Sequence, residues 1–177
     1  MDETGRQFIS EGKNWNTDRS RSRKEGRCGL VPVNDGYEIC WGLGASGQRE
    51  YTVTYTLTGL VKSYDDADGF NYTFLSAGQA NPPRSFSLRI VKPMEPLSGD
   101  NTGIWGFGSH SELLFQDGEI LARSADAFTA QNYLTLVVRF DKGIFTPEVS
   151  AGGSFETVLD KAREGSEYKK DKFSWLD

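Results

Sequence analysis

Few residues in this chain have the chemistry for nucleophilic hydrolysis. A single histidine, His110, lies between Ser109 and Ser111. A Ser–His–Asp triad needs three groups that converge from different parts of a fold, and on a strand both serines would point away from the histidine face. No Gly-x-Ser-x-Gly nucleophile motif occurs in the chain. The pattern therefore favours a structural or surface histidine over a triad.

Paired carboxylates would suit a different reaction, the hydrolysis of glycosidic bonds. The strand-like parts of the sequence offer four glutamates, at Glu38, Glu50, Glu112 and Glu119. Their spacing alone does not bring any two of them together. A carboxylate-dependent glycan hydrolase is therefore kept as an alternative hypothesis.

Residues 42–47 match the G-x-G-x-x-G pattern of dinucleotide sites. That motif binds pyrophosphate because a helix begins at its end and presents backbone N–H groups. Here the next residues lead into a threonine-rich strand pattern, so we interpret the segment as a turn. No cofactor is expected.

An acidic turn at Asp65, Asp66 and Asp68 resembles part of a calcium-binding loop. Aligning Gly69 with the invariant glycine of an EF-hand puts Tyr64 at the first ligand position, which excludes that motif. We interpret the three aspartates as a turn between strands and keep them as candidate binding residues.

Trp105 and Phe107 alternate with glycines in the segment 103–108. On a strand both rings project to one face. Core packing is the first interpretation, and a platform that stacks on a sugar or a peptide is the second. Both aromatic residues are kept as candidate binding residues.

Two cysteines, Cys28 and Cys40, flank a turn-like Asn-Asp-Gly sequence. A hairpin bent there would bring them nearly opposite each other, so a disulfide and two free thiols both remain open. One histidine and two cysteines do not support a zinc site, and no metal is expected.

Length and composition limit the remaining classes. The chain has 177 residues with 20 basic against 25 acidic side chains, a net charge of −5. This is the length of one domain, and the acidic balance argues against nucleic acid as a partner. The longest apolar run, residues 134–138, is far shorter than the ~20 residues of a membrane span.

Apolar residues alternate along most of the chain, which predicts strands with one buried face. A single helix is predicted from Ser154 to Gly165. We expect a mainly β fold, an antiparallel β-sandwich with one short C-terminal helix. The expected organisation is a polar segment at 1–27, the sandwich at 28–165 and a charged tail or linker at 166–177. The predicted strands centre on residues 37–43, 51–58, 70–74, 86–90, 113–115, 119–122 and 134–140.

Several strand-and-turn motifs together resemble one bacterial family. They are Gly36-Tyr37-Glu38-Ile39-Cys40-Trp41-Gly42, Tyr51-Thr52-Val53-Thr54-Tyr55, Asp66-Ala67-Asp68-Gly69-Phe70-Asn71, Ile104-Trp105-Gly106-Phe107-Gly108 and Phe140-Asp141-Lys142-Gly143-Ile144-Phe145. The family is the group of predicted membrane proteins with an extracytoplasmic domain of unknown function, the domain-of-unknown-function 2207 family. The resemblance covers roughly residues 36–160.

This resemblance implies a β-rich domain on the extracytoplasmic face of the cell membrane, as part of a longer membrane protein. Any membrane contact would then be made by segments outside this chain. The first functional hypothesis is a non-enzymatic binding or assembly module whose partner is an envelope protein or a cell-wall glycan. The alternatives are an envelope glycan hydrolase and a cytoplasmic interaction module.

Overall fold

The computed structural model describes residues 1–33 and 36–165, and the chain divides into two compact units, residues 1–56 and 57–177. The sequence prediction begins the sandwich at residue 28, where the strand pattern starts. In the structure the hairpin that begins there belongs with the N-terminal residues instead. The charged tail predicted at 166–177 lies outside the described residues.

The first unit, residues 1–56, contains one small sheet in the order β1-β2-β3. Strand β1 runs parallel to β2, and β2 and β3 form an antiparallel hairpin. The elements are β1 (Ile9–Ser10), a 3-10 turn (Gly12–Asn14), α1 (Arg21–Lys24), β2 (Arg27–Val33) and β3 (Gly36–Trp41).

The strand predicted at 51–58 is not formed. Tyr51 makes one isolated bridge with Asp2, and the Thr52 N–H donates to the Met1 carbonyl at 2.9 Å. Residues 52–57 have no strand partner. Alternation of apolar residues and threonines predicts a strand, but a strand also needs a neighbour for its backbone groups.

The second unit contains two sheets and a helix. The sheet orders are β11-β4-β5-β10-β7 and β6-β9-β8, and every pairing is antiparallel except that of β11 with β4. The elements are β4 (Lys62–Ser63), β5 (Asp68–Leu75), β6 (Ser87–Ile90), β7 (Thr102–Phe107), β8 (Ser111–Gln116), β9 (Glu119–Ser124), β10 (Leu134–Phe140), β11 (Val149–Ser150) and α2 (Phe155–Glu164).

The core of this unit lies between the two sheets, which makes it the predicted β-sandwich. Alternate residues of β10 are fully buried and pack with Phe70 of β5 against Ile120 and Ala122 of β9. The other face of the five-stranded sheet is covered by α2, where Phe155 and Leu159 pack on Ala67 and Val137. The central strand β10 is therefore buried on both faces.

The turn between β8 and β9 and the predicted helix α2 both have local causes in the sequence. Asp117 and Gly118 both have positive φ, 52° and 78°, as a type I′ turn between β8 and β9 requires. Helix α2 begins after Ser154, whose side chain accepts a hydrogen bond from the Glu156 N–H, and ends at Gly165. Among the described residues, no helix has the length and apolar character needed to cross a membrane.

Candidate binding groove

The apolar residues of the first unit are largely exposed. All of the buried hydrophobic side chains belong to residues 67–159, whereas most of the large hydrophobic side chains that stay exposed belong to residues 1–56. A contiguous apolar surface of this kind marks a binding site more often than single exposed residues do. The first unit is therefore where we locate the candidate site.

A groove of about 500 Å³ opens on this unit, a volume within the range of ligand sites. We call it the aromatic groove. The residues that define it here are Phe8, Leu30, Ile39, Trp41, Tyr51 and Tyr55.

The register of the β2–β3 hairpin supplies one wall of the aromatic groove. Cys28 pairs with Trp41, and Leu30 pairs with Ile39. Cross-strand partners share a face of the sheet, so these four side chains stand on the same side. The hairpin thus presents a half-exposed apolar surface.

Tyr51 joins that wall to the N-terminal residues. Its ring centroid lies 6.0 Å from that of Phe8 in an edge-to-face arrangement, and 5.8 Å from that of Trp41 in a tilted one. Aromatic pairs with this geometry attract beyond their buried area. The three rings form a continuous surface in the groove.

No acidic or basic side chain lines the aromatic groove. Its polar groups are hydroxyls and an amide, including Ser10, Thr52 and Gln7. The Met1 ammonium lies among these residues but donates to the Thr52 carbonyl at 3.0 Å, and no Arg or Lys of the described residues lines the groove to bind a phosphate or a carboxylate. The chemistry of the groove suits an uncharged ligand.

Charged residues stabilise the loop that leads into β2. Both carboxylate oxygens of Glu11 lie 2.7 Å from Arg19 Nη1, and one of them lies 3.1 Å from Arg27 Nη1. The hydrogen bond from Arg19 is the main cause that lowers the pKa of Glu11. Arg19 and Arg27 therefore share a partner within the unit.

The glycine pattern at 42–47 also has a structural role. A Cβ on Gly42 would lie 1.8 Å from the Lys24 carbonyl oxygen, so only glycine fits at this position. The Arg21 guanidinium donates to the Gly44 carbonyl. No helix begins at the end of this segment, so it lacks the feature by which a dinucleotide loop binds pyrophosphate.

Both cysteines are free thiols in the structure. Cys28 pairs with Trp41 while Cys40 pairs with Gly29, so the register differs by one residue from the one that a disulfide between them requires. A shift of one residue places the two side chains on opposite faces of the hairpin. Burial, followed by the charge of Glu38, raises the pKa of the Cys40 thiol.

The acidic turn holds helix α2 in place. Asp66 accepts hydrogen bonds from the Phe155 N–H at 2.8 Å and from the Ser154 hydroxyl at 2.9 Å. The bond from the Phe155 N–H is the main cause that lowers the pKa of Asp66. Asp68 is buried and lies 3.0 Å from Lys142 Nζ, and Asp65 is exposed. In the described residues no three acidic, histidine or cysteine side chains are placed to hold a metal ion.

The structure places Trp105 and Phe107 in the cluster beneath α2. Phe107 is buried there with Val137, Phe155 and Leu159, and Trp105 packs against the same cluster. Their position gives both residues a packing role in the sandwich. That they bind a ligand remains a prediction.

Neither His110 nor the pair Glu112 and Glu119 forms the arrangement that hydrolysis would need. His110 Nδ1 lies 2.7 Å from Asp126 Oδ2 on an exposed surface, and Ser109 and Ser111 bond to each other. Glu112 and Glu119 form ion pairs with Arg123 and Arg89. Glu112 lies opposite Arg123 of β9, and Glu119 lies four residues before Arg123 on the same strand. At ~3.3 Å per residue, the backbone positions of the two glutamates are about 13 Å apart along the strand direction. Glycosidase carboxylates lie about 5 to 10 Å apart.

Sequence reasoning did not identify the aromatic groove. Ile39, Trp41, Tyr51 and Tyr55 were placed on the buried faces of predicted strands, and Phe8 was placed in a polar segment. The one available signal was a mismatch: two strongly alternating segments, 37–43 and 51–58, follow an N-terminal segment that is too polar to cover them.

Comparison with known proteins gives one match. Residues 9–156 match the family model described as the N-terminal domain of a predicted membrane protein, DUF2207. No curated protein matches the chain, and no solved structure does.

Proposed function

The chain belongs to the DUF2207 family of predicted membrane proteins, and we propose that it is an extracytoplasmic binding module whose aromatic groove holds an uncharged segment of an envelope protein. The observation that carries this proposal is the half-exposed apolar wall of Leu30, Ile39 and Trp41 beside Tyr51. Exposing such a surface is unfavourable in water, and a partner would remove it from solvent.

The composition of the groove favours a polypeptide over a glycan. Aliphatic groups from Leu30, Ile39 and Val53 make up much of the wall, and they offer a sugar neither stacking nor hydrogen bonds. They do suit the apolar side chains of a peptide, and the nearby hydroxyls of Thr52 and Thr54 suit its backbone.

Selection from a displayed library of random peptides tests the proposal, with a panel of neutral cell-wall glycan fragments as the competing ligand class. We expect peptides rich in apolar residues, and we expect Trp41→Ala to weaken their binding by about 2 kcal/mol, the size of a binding hot spot. Leu43→Ala is the matched control, since Leu43 is exposed but does not line the groove. Glycan binding, or peptide binding that Trp41→Ala leaves unchanged, would contradict the proposal.

The extracytoplasmic placement has its own test. Cys28 lines the groove and is only partly buried, so it serves as a native label site in a Cys40→Ser variant. In intact cells that express the protein from its own gene, a membrane-impermeant maleimide should label Cys28. Labelling that appears only after lysis would place the domain in the cytoplasm.

A further inference from the structure

The outer edge of strand β3 carries backbone groups without a strand partner among the described residues. In its sheet β3 pairs only with β2. Next to the hairpin, the Gly42 N–H donates to the Arg27 carbonyl at 2.9 Å. Along an antiparallel ladder, residue pairs that exchange hydrogen bonds alternate with pairs that do not. This one hydrogen bond therefore shows which backbone groups of β3 point towards β2 and which point away from it.

By that alternation, the N–H and C=O groups of Tyr37, Ile39 and Trp41 point away from β2. The position of Pro32 is consistent with this assignment: it pairs with Tyr37, and proline has no N–H to donate. The same three residues are exposed and apolar. An exposed apolar edge of this kind is a template for another strand.

We propose that this edge pairs with the same edge of a second copy of the chain, in antiparallel orientation about a two-fold axis centred on Ile39. In that register Ile39 opposes Ile39 of the second copy, and Tyr37 opposes Trp41. Every outward backbone group of these three residues then has a partner, and the apolar walls of the two grooves join. The inference does not depend on what the groove binds.

Charge within residues 1–56 does not oppose a second copy, and it selects the register. Acidic and basic residues are equal in number in residues 1–56, so the net charge of −5 belongs to residues 57–177 and the paired units carry no net repulsion. A register centred on Glu38 would place two carboxylates directly opposite each other, which is destabilising. A register centred on Cys40 would leave the outward groups of Tyr37 unpaired. Centring on Ile39 instead places Glu38 opposite the neutral Cys40 of the second copy.

Disulfide trapping tests both the partner and the register. The variant carries Cys28→Ser, which removes the thiol of the groove, together with Glu38→Cys. Position 38 then faces Cys40 of the second copy in an unbonded pair, where side chains approach closely enough for a disulfide. Under mild oxidation we expect a covalent dimer as the main product on a non-reducing gel.

Adding Cys40→Ser to that variant provides the matched control. The two thiols at position 38 would then be diagonal neighbours, beyond the reach of a disulfide, so the covalent dimer should disappear. A monomer from the first variant would overturn the proposal, as would equal dimer from both variants.

A second measurement does not rely on cysteine chemistry. Ile39→Pro removes an N–H that points away from β2, so the bonds within the hairpin remain while the edge is blocked. By sedimentation equilibrium, the unaltered chain and Leu43→Ala should form a reversible dimer, and Ile39→Pro should be monomeric with an unchanged circular dichroism spectrum. A dimer that survives Ile39→Pro would show that the contact lies elsewhere.

Discussion

Both units of this chain contain segments in which apolar and polar residues alternate. The apolar side chains are buried in the second unit and largely exposed in the first. In residues 57–165 the alternating apolar residues meet a second sheet or a helix, and Phe140, Phe155 and Leu136 are fully buried. In residues 1–56 equally apolar residues such as Trp41 and Tyr55 remain at the surface. The difference teaches that alternation creates an apolar face, whereas burial needs another element to cover it. For the first unit we propose that a partner supplies that element.

The strongest test of this comparison is Phe155→Ala in the sandwich. Phe155 has no solvent exposure, and its ring packs edge to face against Tyr64 with centroids 5.1 Å apart. Removing a fully buried phenylalanine costs about 3–5 kcal/mol of the free energy of unfolding. Urea denaturation followed by circular dichroism measures the loss, and Thr157→Ala on the exposed face of α2 is the control. A loss no larger than the control would show that α2 is not part of the stable unit.

An intermediate effect is expected for Asp66→Asn, because Asp66 caps α2 from another part of the chain. Asparagine keeps an oxygen that can accept from the Phe155 N–H, so this substitution removes only the negative charge at the helix N-terminus, which contributes up to about 1 kcal/mol at neutral pH. The pKa of Asp66 is lowered from 3.8, mainly by the hydrogen bond from the Phe155 N–H. The ionised form therefore stabilises the fold above pH 3.8, and this contribution is lost as the pH falls through the lower pKa of the folded state.

Urea denaturation at several pH values checks this prediction. The stability difference between the unaltered chain and Asp66→Asn should be largest near neutral pH and should shrink in acid. Asp65→Asn, at the exposed neighbouring carboxylate, should show a smaller difference at every pH. A difference for Asp66→Asn that does not change with pH would mean that its charge has no role in holding the helix.

The smallest effect on stability is expected for Tyr55→Ala in the first unit. Tyr55 is 56% exposed, although it is as apolar as many core residues. Exposed substitutions of this kind change stability by less than about 0.5 kcal/mol. The same denaturation experiment measures it. A loss comparable to that of Phe155→Ala would remove the contrast between the two units and would require Tyr55 to be buried in solution.

Features with local causes were predictable from the sequence. The start of α2 at Ser154 and its end at Gly165 depend on residues within the helix itself. The turn at Asp117 and Gly118 depends on two residues that tolerate positive φ. Five strands of the second unit, β5, β6, β8, β9 and β10, were also predicted, since each shows its alternation within a few residues, whereas β4, β7 and β11 were not.

Features that depend on distant partners were not predictable in the same way. The alternation at residues 51–58 predicts a strand, but no neighbour is present to pair with it. Cys28 and Cys40 would be directly opposite each other only in a hairpin centred on residue 34. The observed pairing of Val33 with Gly36 is centred between residues 34 and 35, so the cross-strand register differs by one residue. Trp41 and Tyr51 lie in alternating segments, as Trp105 and Phe107 do, and only the number of surrounding elements separates a core from a binding surface.

The position of β10 has a consequence for amide hydrogen exchange. Its backbone is bonded to β5 on one side and β7 on the other, and Val137 and Val138 are completely shielded from solvent on the two faces. Deuterium should enter these amides only when the whole sandwich opens, so their exchange rate reports global unfolding. The amides of Tyr37, Ile39 and Trp41, which point away from β2, should exchange fastest in dilute solution. If their exchange slows at higher protein concentration, a second copy has paired with the edge of β3.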